Sequence, residues 1–191
     1  IGCFSFYPGK NLGAIGDAGA ICSSNDDLAS TARKISNYGS DFKYSHSING
    51  LNSRMDPIQA IFLSEKLKYL EDIITRRGKV AELYCEGIAN SEIVTPDLVN
   101  APDRHAWHVY AIRLDRRDEL QNYLKSKQVQ TIIHYPVLTI DQLFLSEKFN
   151  YPDFKRHGNF LLSLPIHECL GYQDVNKVVE LVSEFKNCEG K

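Results

Sequence analysis

The sequence has no long apolar run: nowhere does it offer the roughly 18 consecutive apolar residues of a membrane-crossing helix, and no membrane partner is expected. It also lacks an excess of positive charge. With 22 Lys+Arg against 24 Asp+Glu the net charge is −2, so no basic field holds a nucleic acid backbone, and nucleic acid is not expected as a partner. Sulfur is sparse. There is one methionine, Met55, and five scattered cysteines (Cys3, Cys22, Cys85, Cys169 and Cys188) with no C-x-x-C pair. Such an odd, dispersed set suggests neither a disulfide framework nor a metal site, and reads as small buried thiols in a reducing compartment, the cytoplasm. Nucleotide-loop motifs are missing as well. A P-loop needs a glycine where Phe4 stands and Ser or Thr where Asn11 stands, and no G-x-G-x-x-G occurs.

What is present is ordinary globular usage, 43% hydrophobic and 24% charged over 191 residues. On a scale of about 150 residues per domain this is one domain or two small ones. Residues 1–7 read as a strand, with Ile1–Phe6 apolar enough for the interior of a sheet. A strand of that kind needs neighbours on both sides, so a preceding part of the fold is expected outside this chain. Pro8-Gly9 makes a turn, Gly13, Gly16 and Gly19 allow tight bends, and Ala18–Cys22 reads as a second strand. Ser24 or Asn25 is the expected N-cap of a helix over 26–37, with Asp26 and Asp27 at its start and Arg33 and Lys34 near its end, the order that suits a helix dipole. Residues 38–54 carry no period and read as a polar binding loop. Asp56 as N-cap and Pro57 at the first helical position announce a helix whose apolar spacing runs to about residue 90, roughly 50 Å if straight, or kinked near Gly78. Pro96 and Pro102 mark a connection. The second unit then reads as strand 105–114, helix 117–127, strand 130–135, a loop, and an amphipathic helix 173–187. The expected domains are 1–90, with the loop and the long helix, and 91–191, a small α/β layer.

Lys10 is the residue with the most chemical promise. A lysine at a sharp turn after an apolar strand is usually solvated, but an amine held against apolar surroundings loses its proton more readily and attacks carbonyls to form a Schiff base, which is how pyridoxal phosphate is held. His105 and His108, on opposite faces of the expected strand, do not make a metal site. By themselves His134, at a strand end, and Tyr7, Lys43 and Tyr44 read as structural or surface-packing residues.

The segments FSFYPGKNLGAIGDAGAI, YGSDFKY, GLNSRMDPIQA, HVYAIRLDRRDELQNYL and IIHYP, in that order, resemble the second half of the sugar-nucleotide aminotransferases of the DegT/DnrJ/StrS group. The resemblance covers nearly the whole chain, and FYPGKNLGAIGD with YGSDFKY is most similar to the branch that aminates 3-keto-6-deoxy sugars on dTDP. It implies an α/β fold: the end of the large domain of a fold type I pyridoxal phosphate transferase, a long linking helix and a small α/β domain. It implies that Lys10 bonds the cofactor, that Ser5 meets its phosphate, and that Asn52 and Arg54 reach the phosphate region of a neighbouring subunit's site in a homodimer. Tyr7, Lys43, Tyr44, His134 and Tyr135 are implied substrate contacts. The implied activity is amino transfer from glutamate to a nucleotide-linked keto sugar, in amino-sugar or lipopolysaccharide synthesis. Lysine rather than histidine at position 10 favours amino transfer over dehydration.

Two departures stand beside the resemblance. The family pattern HYPxPxHxQ appears here as HYPVLTIDQ, with Leu138 and Ile140 replacing a proline and a histidine, which alters the sugar end of the pocket. The aspartate that pairs with the cofactor's pyridine nitrogen belongs to the family's first half, outside these 191 residues. The alternative reading is therefore a truncated, inactive chain that serves as an association or binding module.

Overall fold

The computed structural model describes residues 1–97, 105–142 and 159–185. Pro102, Asp103, the end of the last expected helix at Asn187, and Cys188 lie outside the described residues. The chain divides into two compact units, Ile1–Asp72 and Ile73–Lys191. The boundary thus falls at residue 72 rather than at the expected 90, so the linking helix is not wholly in the first unit.

In the first unit, β1 (Gly2–Ser5) pairs antiparallel with β2 (Gly19–Cys22), in a register running from Gly2 opposite Cys22 to Ser5 opposite Gly19. Asn25 caps α1 (Asp26–Ser36): its side-chain oxygen accepts the Leu28 N–H at 3.0 Å, satisfying one of the free donors of the first turn. The loop that follows holds a short hairpin, β3 (Ser40–Phe42) and β4 (Ser45–His46), which the aperiodic sequence did not announce. Gly39 turns the chain into it with a φ of +72°, and a Cβ there would lie 1.7 Å from the Ile48 carbonyl oxygen, so only glycine fits. Residues 51–53 then run back along the end of α1, Leu51 N–H donating to Ile35 O and Ser53 N–H to Ser36 O.

The long helix is two helices. α2 (Pro57–Leu67) ends at Lys68, where Lys68 N–H donates to Glu65 O and Tyr69 N–H to Lys66 O, short-span bonds that tighten and stop the helix ten residues before Gly78. α3 (Leu70–Gly87) then runs through Gly78 unbroken. Asp56 precedes α2 as expected, but its side chain makes no capping bond; only its backbone carbonyl accepts, from Gln59 and Ala60.

The second unit holds the main hydrophobic core. β5 (Tyr110–Arg113) pairs antiparallel with β6 (Leu161–Leu164), and Tyr110, Ile112 and Leu114 are buried on the alternation the sequence displays. The core is completed by Val80, Ala81 and Tyr84 of α3, Leu120 and Leu124 of α4 (Arg117–Ser126), and Val175, Val178 and Val182 of α5 (Tyr172–Glu184). Three expectations need correction. The strand expected over 105–114 is confined to 110–113, because the Trp107 N–H donates to His105 Nδ1 at 2.9 Å and Trp107 adopts a φ of +47°, bending the segment out of the ladder. His105 and His108 therefore do not share a strand. The strand expected over 130–135 is a single bridge, Ile132 with Ser163, and the partner of β5 is instead β6, in a stretch read as loop.

Candidate active site

Lys10 sits on a loop folded tightly from local bonds. The Tyr7 carbonyl accepts the Lys10 N–H at 2.8 Å, closing a turn over Pro8-Gly9. Phe6 ties the loop at its base, donating to Ala18 O at 2.9 Å and accepting from Ala14 N–H at 2.8 Å. Gly13 makes the fold possible, since a Cβ there would stand 2.2 Å from the Pro8 carbonyl oxygen. Side chains of α2 bind the far limb of the loop: Gln59 Oε1 accepts from Ile15 N–H (2.9 Å) and Gly16 N–H (3.3 Å), and Lys66 Nζ donates to Gly13 O (3.2 Å). The result is a half-buried Lys10 on a stiff support, at the end of the strand that carries Ser5. Ser5 Oγ accepts the Tyr7 N–H at 3.3 Å, and Tyr7 itself is exposed.

A second constellation lies at the end of α1 and along the hairpin, around a cavity of about 600 Å³. Arg33, Lys34, Lys43, His46 and Arg54 bring nitrogen to it, Tyr38, Phe42 and Tyr44 bring rings, and Asp41 brings the one carboxylate. Lys34 and Asp41 form an ion pair across it, and that ammonium holds the Asp41 carboxyl below the usual carboxylate range. Arg54 is oriented by two amide oxygens, its Nε donating to Asn52 Oδ1 (3.3 Å) and its Nη1 to Asn37 Oδ1 (3.5 Å), and it lies 5.4 Å from the centre of the Tyr38 ring. Tyr38 and Tyr44 both adopt left-handed backbone, at φ 59° and 70°, a cost that recurs at binding loops. Tyr44 is 85% exposed, with Lys43 Nζ 5.1 Å from its ring centre.

The structure thus brings Lys43, Tyr44 and Arg54 to one cavity, with Asn52 supporting Arg54, and it places Ser5 at the end of β1 and Tyr7 and Lys10 on the loop that follows. Neither Lys10 nor Ser5 nor Tyr7 lines that cavity. His134 and Tyr135 belong to the second unit, where His134 Nδ1 lies 2.8 Å from Ser163 Oγ and the two rings meet edge to face, 5.3 Å between centres. Arg33, Asn37, Tyr38 and His46 were missed by the sequence reading. Arg33 and Lys34 read as helix-dipole residues, Tyr38 and His46 fall within the expected binding loop 38–54 without being singled out, and nothing local distinguishes Asn37.

The family model for DegT/DnrJ/EryC1/StrS aminotransferases matches residues 1–183. The chain belongs to this family. It is 38% identical over 97% of its length to dTDP-3-amino-3,4,6-trideoxy-alpha-D-glucose transaminase of Streptomyces venezuelae, covering 50% of that protein. It is 40% identical over 95% of its length to dTDP-3-amino-3,6-dideoxy-alpha-D-galactopyranose transaminase of Aneurinibacillus thermoaerophilus, covering 55% of it. The crystal structure of S. venezuelae DesV in complex with a ketimine intermediate superposes with a TM-score of 0.90 at 37% identity, over 95% of this chain and 50% of that one. The chain spans about half the length of the relatives it matches. The fold is accordingly part of a fold type I aminotransferase, as the motifs imply. Among the described residues, no helix is long and apolar enough to cross a membrane.

Proposed function

We propose that this chain is the lysine-bearing part of a pyridoxal phosphate-dependent transaminase that moves an amino group from glutamate to a keto-6-deoxy sugar carried on a nucleotide, dTDP by preference. The observation that carries the reading is Lys10: an amine held at the end of β1 on a loop braced from α2, inside the longest family motif of the chain.

The donor set suits the cofactor. Lys10 offers an amine to an aldehyde, Ser5 a hydroxyl to a phosphate, and Arg54, braced by Asn52 and Asn37, a guanidinium of fixed orientation to the same phosphate. When bound, pyridoxal phosphate takes up an amino group as glutamate is oxidised to its 2-oxo acid, and passes it on as the sugar ketone is reduced to the amine, with no net water consumed. The chain's own part is then positional and proton-handling. Lys10 Nζ holds the cofactor and, once displaced by the donor, carries a proton to and from the reacting carbon. In the first unit Lys43 and Tyr44, on the basic cavity, and Tyr7, on the lysine loop, are the proposed substrate contacts; in the second, the family's HYP motif gives the same role to His134, held by Ser163, and to Tyr135. The family motif assigns Arg54 to a neighbouring copy's site, so on this reading the site is completed in a homodimer, and the absence of Lys10 from the lining of the Arg54 cavity accords with that.

Incubation with pyridoxal phosphate, borohydride reduction and peptide mass analysis test the assignment. A reduced adduct on the Lys10 peptide, absent from Lys10→Ala, is the expected result. Equal labelling spread over the other lysines, unaltered by Lys10→Ala, rejects it in favour of the association module.

A further inference from the structure

The bracing of the Lys10 loop by α2 has a definite chemical address. Ile15 and Gly16 lie in a bend outside both strands, so their N–H groups have no ladder to join, and one carboxamide oxygen, Gln59 Oε1, accepts both, at 2.9 and 3.3 Å. Gly16 leaves room for this contact: a Cβ there would stand 2.9 Å from Gln59 Nε2. Two turns further along α2, Lys66 reaches the Gly13 carbonyl. Between them on the same face is Leu63, the one buried side chain of the helix. The residues that lead into α2 are Asn52–Arg54, the segment that brings Arg54 to the basic cavity. One helix therefore sets the lysine loop and the arginine segment in a common frame, and its polar contact with the loop is concentrated in Gln59 and Lys66.

We propose that Gln59 is a positioning residue for Lys10: by accepting two backbone N–H groups of the bend it fixes the loop that aims the amine, without touching cofactor or substrate itself. This rests on the reading of Lys10 as the cofactor lysine.

The test uses the 191-residue chain with pyridoxal phosphate as probe. Two quantities are read: amide hydrogen exchange at Ile15 and Gly16, and the share of borohydride-trapped adduct that falls on Lys10 relative to all other lysines. Gln59→Leu removes the acceptor, Gln59→Glu keeps an oxygen in its place, and Gly16→Ala displaces the carboxamide while leaving Gln59 intact. Gln59→Leu is expected to speed exchange at both amides and to cut the Lys10 share about tenfold, the worth of roughly one net hydrogen bond. Gln59→Glu is expected to restore both, and Gly16→Ala to act in the same direction as Gln59→Leu. Loss of fold would also lower the Lys10 share, but with faster exchange throughout the chain, β5 and β6 included, whereas the positioning role confines faster exchange to the bend that carries Ile15 and Gly16. Faster exchange with an unchanged Lys10 share in Gln59→Leu and Gly16→Ala overturns the positioning role, as does unchanged exchange. Absence of any Lys10 adduct in the unaltered chain overturns the cofactor reading and the positioning role together, an outcome distinct from the first two.

Discussion

Arg77 lies inside α3 with its side chain only 8% exposed, and its Nη1 donates to three carbonyl oxygens, of Trp107 (3.1 Å), His108 (3.4 Å) and Ile166 (3.0 Å), while Nη2 meets Glu168 at 3.2 Å. A guanidinium used this way fastens the segment entering β5 to the one leaving β6. Substituting Arg77→Met keeps the apolar stem but strands the carbonyls, and is expected to cost about 3 kcal/mol of unfolding free energy. Urea titration followed by Trp107, the sole tryptophan and a buried one beside Tyr110, measures it; a loss below about 1 kcal/mol would show the carbonyls to be indifferent to their donor. Arg77 was not legible in the sequence, because an arginine on an amphipathic helix reads as a solvated residue until the carbonyls that surround it, 30 and 89 residues away, are known. The turn that carries Lys10 is legible for the opposite reason: it is made by Tyr7, Pro8 and Gly9, all within three residues.

Elements show the same division between local and distant causes. α1 follows its sequence within one residue because Asn25, its acidic first turn and its basic last turn are all local signals. The α2–α3 break and β6 were missed. No proline or glycine marks Lys68–Tyr69, and the run FLLSLP is too short for periodicity to distinguish a buried strand from a loop; only its pairing with Tyr110–Arg113 makes it one. The hairpin of β3 and β4 was hidden for a related reason, as it depends on Gly39 meeting the Ile48 carbonyl and on the Lys34–Asp41 pair. That pair gives the hairpin an acid dependence. Since Asp41 has its carboxyl lowered in the folded state, the stabilisation is complete above the ordinary aspartate value of about 3.9 and disappears as pH falls through the folded value. Amide signals of Ser45 and His46 are expected to broaden or shift toward disorder below about pH 3.9, and Asp41→Asn to remove that acid step. An acid step that persists in the variant would assign it to another group.

At the scale of the molecule the two units are unequal. Nearly all large buried side chains are in the second, while Ala14 and Leu63 are the buried apolar residues of the first, and β1 and β2 leave Phe4 and Ile21 about half exposed, at 54% and 55%. Two-stranded sheets with apolar faces and free edges invite further strands. The chain on its own is therefore expected to self-associate, its sedimentation mass rising with concentration, and Phe4→Ser with Ile21→Ser to return it toward the monomer. A single monomer species at high concentration in the unaltered chain would refute this.

On the proposed reading, the basic cavity also sets how quickly an anionic substrate arrives. Arg33, Lys43 and Arg54 gather at one concave place on a chain whose net charge is −2, so the field there opposes the average field of the molecule. An anion with two or more charges is drawn toward that mouth over about one Debye length, roughly 8 Å at physiological ionic strength, and repelled elsewhere. On that reading added salt is expected to slow capture while leaving the rate of escape from Arg54, braced by its two amide supports, nearly untouched.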